Sequence, residues 1–197
     1  MKYLCHFVQI ITILPLVVPL TKQQTMKNLG YKQIDPLVIE ENLIKLISSD
    51  WMLVTAGNKE KFNTMTANWG GAGYLWNRPV VFVFVRPERY TYQFMERSEE
   101  FTLCFFDEKY RPALNICGSK SGRDCDKIAE ASLTPLFTEL GNPAFSGARL
   151  VLECRKLYSD LLSKEAFIDR EPVAAHYSGK AGLHKLYIAE IRKVWTR

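Results

Sequence analysis

The sequence lacks the features that mark several common protein classes. Among its 197 residues there is no C-x-x-C pair, and the five cysteines are an odd number, which favours reduced thiols over a disulfide framework or a zinc site. The formal net charge is only +5, and no run of Lys or Arg supports a nucleic-acid surface. Internal repeats, low-complexity segments and linkers rich in Gly or Ser are also absent. The remaining composition, 47% hydrophobic and 24% charged, predicts one globular domain with a sizeable core.

Residues 1–25 form a leader that differs from the rest of the chain. An apolar stretch follows a short basic start, as in a signal peptide, but no small-x-small cleavage site comes after it. Pro15 and Pro19 interrupt this stretch and leave it shorter than a comfortable transmembrane span. Three interpretations stay open: a signal or anchor, a part of the fold, or an over-extended gene start with translation beginning at Met26. We prefer the last, which makes residues 26–197 a single domain.

Hydrophobic periodicity predicts short strands with short helices between them. The segment "DPLVIEENLIKLIS" has Asp35 as a candidate N-cap and Pro36 at the first helical position, which predicts an amphipathic helix. Two extended runs on either side of "GNKEK" predict a β-hairpin. The unbroken apolar run "VVFVFV" predicts a strand that is covered on both faces. Further helices are predicted at "RYTYQFMERS", "YRPALNICG" and "DCDKIAEAS", and further strands at "FTLCFF", "ARLVLECRKLYSDLL" and "HKLYIAEIRKVW".

This order of elements contains no long alternation of strands and helices, which disfavours a doubly wound nucleotide-binding fold. The glycines of "GGAG", residues 70–73, lack the third glycine and the following helix of a dinucleotide fingerprint. They are either a turn or, at the end of a strand, a place where Gly70 and Gly71 let the backbone approach a ligand or bend the barrel. The expected fold is mainly β: a closed or partly closed antiparallel barrel with short helices at its periphery.

The segment "NTMTANW" is the first of three that could carry chemistry. Alternation with a period of two puts small polar side chains on one face of this strand, namely Thr64, Thr66 and Asn68. The opposite face carries Met65, Ala67 and Trp69. Because Thr is a good strand former, the pattern by itself is more typical of a solvated sheet face than of a ligand site.

The segment "VVFVFVRPERYTYQF" is the second. Arg86 and Arg89 follow the apolar strand, with Thr91 close behind, and Pro87 removes a ladder donor where the strand must stop. Guanidinium groups offer a fixed fork of donors that matches a phosphate, and a hydroxyl at a helix start adds to it. The residues alone leave two interpretations open: an anion site, or arginines paired with nearby surface carboxylates.

The third is "CGSKSGRDCDKIAE". Ser121 and Gly122 lie in a polar turn that could present backbone N–H groups to an anion, with Lys127 close by. Asp124 is a natural N-cap for the short helix that follows. On its own this segment is equally well explained as a capped surface helix.

Taken together, the three segments resemble one family. The order "NTMTANWGG", an apolar strand ending in "RPERYTY", "CGSKSGRDCDK" followed by "LTP", and then "LVLEC" is similar to that of the flavin reductase-like, FMN-binding split-barrel family, in its flavoredoxin-like branch. The similarity extends from about Asp50 to Ile191, and the leader has no counterpart in the family. The resemblance implies a six-stranded antiparallel split barrel that dimerises and holds non-covalent FMN near the subunit interface.

The resemblance also implies which residues surround the FMN. Along the ring it places Thr64, Met65, Thr66, Ala67 and Trp69, with Thr66 and neighbouring backbone groups hydrogen-bonding the N5 and carbonyl side. Near the phosphate it places Arg86, Arg89, Tyr90 and Thr91; which arginine touches the phosphate stays open, with Arg89 preferred. The loop that closes over the cofactor contains Ser121, Gly122 and Lys127. His184 matches a family position close to the ring, although nothing in the residues around it singles it out.

The function implied is that of an NAD(P)H-dependent flavin reductase, which passes hydride or electrons through bound FMN to free flavin or to a redox partner protein. Such a site positions and tunes its cofactor, so we assign no catalytic nucleophile or base and no metal. Two alternatives stay open: a flavoredoxin-type electron carrier without NAD(P)H activity of its own, and a non-catalytic flavin-binding module. We expect a cytoplasmic protein without a stable membrane span in the mature domain, or an exported or anchored one if the leader is real.

Overall fold

The computed structural model describes residues 26–179 and 182–197, and the predictions for residues 1–25 lie outside these ranges. The described strands are β1 (Lys32–Ile34), β2 (Met52–Gly57), β3 (Phe62–Ala67), β4 (Gly70–Leu75), β5 (Arg78–Val85), β6 (Glu100–Phe105), β7 (Pro135–Phe137), β8 (Pro143–Phe145), β9 (Leu150–Leu161) and β10 (Lys185–Thr196). The α-helices are α1 (Leu43–Lys45), α2 (Tyr90–Arg97), α3 (Arg111–Ser119), α4 (Lys127–Glu130) and α5 (Glu171–Tyr177). No helix in these two ranges is both long enough and apolar enough to cross a membrane.

One antiparallel sheet contains eight of these strands. Its order is β3-β2-β6-β9-β10-β5-β4, and β1 pairs with the other end of β10. Strands β3 and β4 lie at opposite ends of this order, yet only Asn68 and Trp69 connect them, so the sheet must curl until its two edges approach each other. This confirms the predicted mainly β, antiparallel split barrel with short peripheral helices.

The sheet has eight strands where six were expected. The two additional strands are β1, which is only three residues long, and β4, whose glycines carry no apolar alternation. Both are held by cross-strand pairing, β1 to β10 and β4 to β5. Glycine favours a strand poorly in isolation, so pairing with a neighbour decides the conformation here.

Alternate residues of the central strands feed two separate cores. On β2, for example, Val54 packs inside the barrel while Leu53 packs outward against a layer formed by α3, α4 and the β7–β8 hairpin. On β6, Leu103 and Cys104 divide in the same way. The period of two along the strands therefore fills both sides of the sheet in this region.

The prediction for "VVFVFV" is confirmed as a strand, but only one face is fully covered. Val81, Val83 and Val85 point into the barrel core and are at most 2% exposed. Phe82 and Phe84 point to the other face and are half-buried. In the single chain the outer face of β5 is thus an apolar surface that remains partly open.

A tight turn connects β4 to β5 and exposes large side chains. Its two central residues, Trp76 and Asn77, have φ angles of 52° and 58°, as a type I′ hairpin turn requires. The indole of Trp76 and the ring of Tyr74 are 54% and 65% exposed. Two large aromatic side chains are therefore exposed at and beside the β4–β5 turn.

The predicted helix from Asp35 is wrong as a single element. Asp35 does accept a hydrogen bond from the Leu37 N–H, but it caps only one 3-10 turn. A second cap, Asn42, accepts from the Lys45 N–H and starts α1, which then widens into a π-helical turn over Leu46–Asp50. Two competing caps break what the apolar spacing suggested was one helix.

Candidate functional site

A cavity of about 230 Å³ opens where β3, β5 and α3 end and β10 is about to begin. The residues that line it are Met65, Thr66, Ala67, Asn68, Trp69, Phe84, Arg86, Arg89, Gly118 and His184. All the segments singled out in the sequence therefore reach one place. Phe84 and Gly118 were not predicted; Phe84 is two residues from Arg86 on the same strand face, and that spacing could have identified it.

The threonine face of β3 is not solvated, so that interpretation of "NTMTANW" was wrong. Thr64 is fully buried and its hydroxyl lies 2.8 Å from that of Thr55. The Thr66 hydroxyl donates to the Leu114 carbonyl of α3 at 2.5 Å. Gly118 packs so closely that a Cβ there would lie 3.3 Å from the Thr66 Cβ. Helix α3 covers this face, and the Thr66 hydroxyl already has a partner.

The backbone of β3, unlike the Thr66 hydroxyl, has hydrogen-bonding groups that are available to a ligand. In the sheet β3 pairs only with β2, so it is an edge strand. In an antiparallel pair every second residue turns its N–H and C=O groups away from the partner. Along Met65–Ala67 these outward groups can meet a ligand in the cavity, whereas the Met65 and Ala67 side chains belong to the barrel core.

One end of the site holds Arg89, and Lys127 lies close behind it, lining a neighbouring cavity; among the described residues both cations have only carbonyl partners. Arg89 Nη2 donates to the Gly118 carbonyl at 2.7 Å, and Lys127 Nζ donates to the Cys117 and Lys120 carbonyls at 3.2 and 3.3 Å. Lys127 is 3% exposed. Within residues 26–179 and 182–197, no carboxylate lies within ion-pair distance of either group. Because neither cation is paired with a carboxylate, a bound anion could form charge-assisted hydrogen bonds with them.

The electrostatics of these two cations agree with an anion site. Burial lowers the pKa of the Arg89 guanidinium. Burial is also the main cause of the lowered pKa of Lys127, and the positive charge of Arg89 lowers it as well. An anion bound between them would relieve both the desolvation and the repulsion.

The other end of the site is aromatic. The Trp69 ring centroid lies 5.0 Å from that of His184 and 5.0 Å from that of His176 on α5. Arg86 enters here, with its Nε 3.4 Å from His184 Nε2. Burial, and after it the charge of Arg86, lowers the pKa of His184 to about 4, so the ring is neutral near pH 7. Among the described residues that line the cavity, Arg86 is thus the fixed positive charge at the aromatic end.

Several predicted residues lie behind the cavity or beside it. Thr91 is 1% exposed, and its hydroxyl accepts from Asn63 Nδ2 at 2.7 Å, which ties α2 to β3. Tyr90, Gly122 and Lys127 line a neighbouring cavity of about 450 Å³. Ser121 accepts the Arg123 N–H on its hydroxyl within the intervening turn. None of these residues lines the 230 Å³ cavity; they pack behind or beside its wall.

The turn before α4 is built differently from the prediction. Asp126, not Asp124, caps this helix, with its carboxylate accepting the Ala129 N–H at 3.1 Å. The Asp124 N–H is used earlier, in a turn that closes on the Ser121 carbonyl. The turn delays the helix start by two residues and leaves room for Gly122 to pack against Asn63.

A family model described as "Flavin reductase like domain" matches residues 44–197. No curated protein matches the sequence.

Three similar solved structures are all under 25% identical and show the fold alone. A flavoredoxin from Methanosarcina acetivorans is 22% identical, with a TM-score of 0.58 over 75% of this chain and 68% of that one. An FMN-binding domain of a flavin reductase-like enzyme from Shewanella baltica is 18% identical, with a TM-score of 0.61 over 85% and 77%. An NADH:FAD oxidoreductase from Streptomyces globisporus is 17% identical, with a TM-score of 0.56 over 75% and 75%.

Proposed function

Because this chain belongs to the flavin reductase-like domain family, we propose that it binds FMN non-covalently in the described cavity and acts as an NAD(P)H-dependent flavin reductase. Hydride or electrons would pass through the bound FMN to free flavin or to a redox partner protein. The single observation that carries this proposal is the polarity of the site, which has carbonyl-bound cations at one end and aromatic walls at the other. A planar ring with a phosphate tail matches both ends.

The residues present fit this cofactor in named roles. Arg89 would hold the phosphate, with the charge of the buried Lys127 close behind it, and the outward N–H groups of β3 would meet the edge of the ring. Trp69 and Phe84 would line the ring pocket and exclude water from it. When bound, FMN supplies the hydride and electron chemistry itself, and the protein supplies position and electrostatics.

A second function, that of an electron carrier without its own NAD(P)H activity, is favoured by one observation. Trp69 packs edge-on against His176 and at a tilt against His184 at the aromatic end, with a centroid distance of 5.0 Å to each histidine. This packing restricts access for a nicotinamide at that end. Stopped-flow mixing with NADH and NADPH separates the two functions, because a carrier is expected to be reduced slowly or not at all. A non-catalytic flavin-binding module would show neither reduction nor electron exchange with a partner.

A homodimer is part of the proposal. The half-buried Phe82 and Phe84 form an apolar outer face that a second copy could cover, and the exposed Tyr74 and Trp76 lie near the turn of the same hairpin. Sedimentation equilibrium gives the mass directly, and a monomer at micromolar concentration would contradict this part.

A cytoplasmic location is supported by the free thiols of Cys104, Cys117, Cys125 and Cys154, which suit a reducing compartment.

The test begins with the purified protein, which should be yellow and release FMN, not FAD, on denaturation. Arg89→Ala removes a charge-assisted donor, so the Kd for FMN should rise about ten- to a hundredfold. Arg192→Ala, at an exposed position of β10, is the matched control and should leave the Kd unchanged. Protein that is colourless and does not take up added FMN would defeat the site assignment. An unchanged Kd in Arg89→Ala would assign that arginine to a structural role.

A further inference from the structure

Three side chains connect helix α5 to the aromatic end of the cavity. The Tyr177 hydroxyl lies 2.8 Å from His184 Nδ1, and His184 Nε2 lies 3.4 Å from Arg86 Nε. Tyr177 and His184 are only 6% and 9% exposed. The connection between β9 and β10, which contains α5, is therefore in contact with the residues that line the site.

The contacts permit a single tautomer of His184. An arginine Nε always carries hydrogen, so Arg86 can only donate, and His184 Nε2 must accept without a proton of its own. The proton of the neutral ring then lies on Nδ1, which donates to the Tyr177 oxygen. A substitution at Tyr177 should therefore change the position of Arg86, because the His184 ring is hydrogen-bonded to both.

Arg86 is held on further sides by the same helix. Its Nη2 donates to the His176 carbonyl at 3.1 Å, and its guanidinium carbon lies 5.4 Å above the Tyr177 ring centroid. The nearby Glu88 carboxylate accepts the Gly182 N–H, and its pKa is lowered first by that bond and less by Arg86. Arg86 is thus fixed in place by neutral groups while keeping its positive charge.

The two arginines of "RPER" consequently serve different ends of the site. The Arg89 N–H closes a turn on the Arg86 carbonyl at 3.0 Å, which separates the end of β5 from the start of α2. Arg89 then reaches the carbonyls at the end of α3, whereas Arg86 reaches His184 and α5. Local spacing suggested one anion site for both; the tertiary contacts separate them.

We propose that Tyr177 and His184 are positioning residues that hold Arg86 at the ring end of the cavity, where its charge favours reduced over oxidised flavin. This proposal rests on the proposed function, since it requires a flavin ring at that end. Reduction adds electron density to the pyrimidine part of a flavin, and a fixed cation beside it stabilises the reduced state. Arg86 would then tune the redox potential rather than bind the phosphate.

The first test uses flavin-free protein and does not depend on the proposed function. The ¹⁵N chemical shifts of the His184 ring report which nitrogen is protonated, and His184→Gln identifies the signals. We expect hydrogen on Nδ1 in the unaltered protein, and in Tyr177→Phe a displaced Nδ1 resonance, because Nδ1 has lost its acceptor while Nε2 still accepts from Arg86. Tyr158→Phe removes an exposed hydroxyl that lies near Asp160 and should change nothing. Hydrogen on Nε2 in the unaltered protein, or no response to Tyr177→Phe, would overturn the positioning role.

The second test uses flavin-loaded protein and measures the midpoint potential by dye equilibration. In Arg86→Gln the affinity for reduced relative to oxidised flavin should fall roughly tenfold or more, which moves the potential to a more negative value. Tyr177→Phe should move it in the same direction by less, and Tyr158→Phe should leave it in place. If Arg86→Gln weakens FMN binding equally in both redox states, Arg86 is a phosphate ligand and the proposal is wrong. A protein that binds no flavin at all would instead defeat the proposed function, while the ¹⁵N result would still stand.

Discussion

Acid should destabilise the protein through His184, and the size of the effect follows from its surroundings. Burial, and after it the charge of Arg86, lowers the pKa of His184 from 6.5 to about 4. Glu88 acts in the opposite direction, and His176 lowers the pKa slightly. The groups packed around the ring are Arg86 and Phe84 of β5, Trp69, and His176 and Tyr177 of α5. Protonation of this ring would place a second positive charge next to the Arg86 guanidinium, which is unfavourable.

The sign and magnitude follow from proton linkage. In the unfolded chain the imidazole binds a proton near pH 6.5, and in the folded protein only near pH 4. Between these values the unfolded state binds more protons, so the free energy of unfolding decreases as the pH falls through this window. At about 1.4 kcal/mol for each pKa unit, the loss should be about 2 kcal/mol by about pH 5 and about 3 kcal/mol by about pH 4.

Urea unfolding of flavin-free protein at about pH 7.5 and about pH 5 measures this loss. His184→Gln removes the titrating group, so its loss between the two pH values should be about 2 kcal/mol smaller than that of the unaltered protein. His176→Gln keeps His184 and should behave like the unaltered protein. If His184→Gln and the unaltered protein lose the same stability, the imidazole is not the source, and the assignment of a neutral, buried His184 is refuted.

Three other substitutions test the packing around the cavity. Thr66→Val removes the hydroxyl that donates to the Leu114 carbonyl and should lower the free energy of unfolding by about 1 kcal/mol in urea titrations; no loss would mean that the hydroxyl turns elsewhere. Gly122→Ala places a Cβ 2.2 Å from Asn63 Oδ1 and should cost about 1–3 kcal/mol, whereas Gly179→Ala, with nothing within 4 Å, should cost far less. Lys127→Met deprives the Cys117 and Lys120 carbonyls of a donor, so both the melting temperature and the affinity for FMN should fall; a loss of FMN affinity alone would restrict Lys127 to the phosphate.

Local pattern was sufficient for the elements that form their own hydrogen bonds or bury a continuous apolar run. The hairpin around "GNKEK", the strand "VVFVFV" and the helix at "RYTYQFMERS" are all present. Strand β4 could not be predicted in this way, because its glycines adopt an extended form only through pairing with β5. The break in the helix after Asp35 arose because Asn42 offers a second cap. Competing local signals and non-local pairing account for the misses.

The order of the motifs located the site, but it did not identify the partners of the side chains. Thr66 meets Leu114, and Arg86 meets His184, across 48 and 98 residues of sequence. Neither contact follows from spacing along a strand or helix. These contacts determine which hydrogen-bonding groups remain available to a ligand. The different positions of Arg86 and Arg89 in the site could therefore be seen only in the folded structure.

The distance of 98 residues between Arg86 and His184 also has a consequence for biosynthesis. The aromatic end of the cavity does not exist until β10 has joined the sheet between β9 and β5. Chains emerging from a ribosome would therefore present the arginines, α3 and the edge of β3 without a completed binding site. Cofactor loading should be a late event in the life of each molecule, and flavin uptake should report the arrival of β10 more directly than any measure of secondary structure.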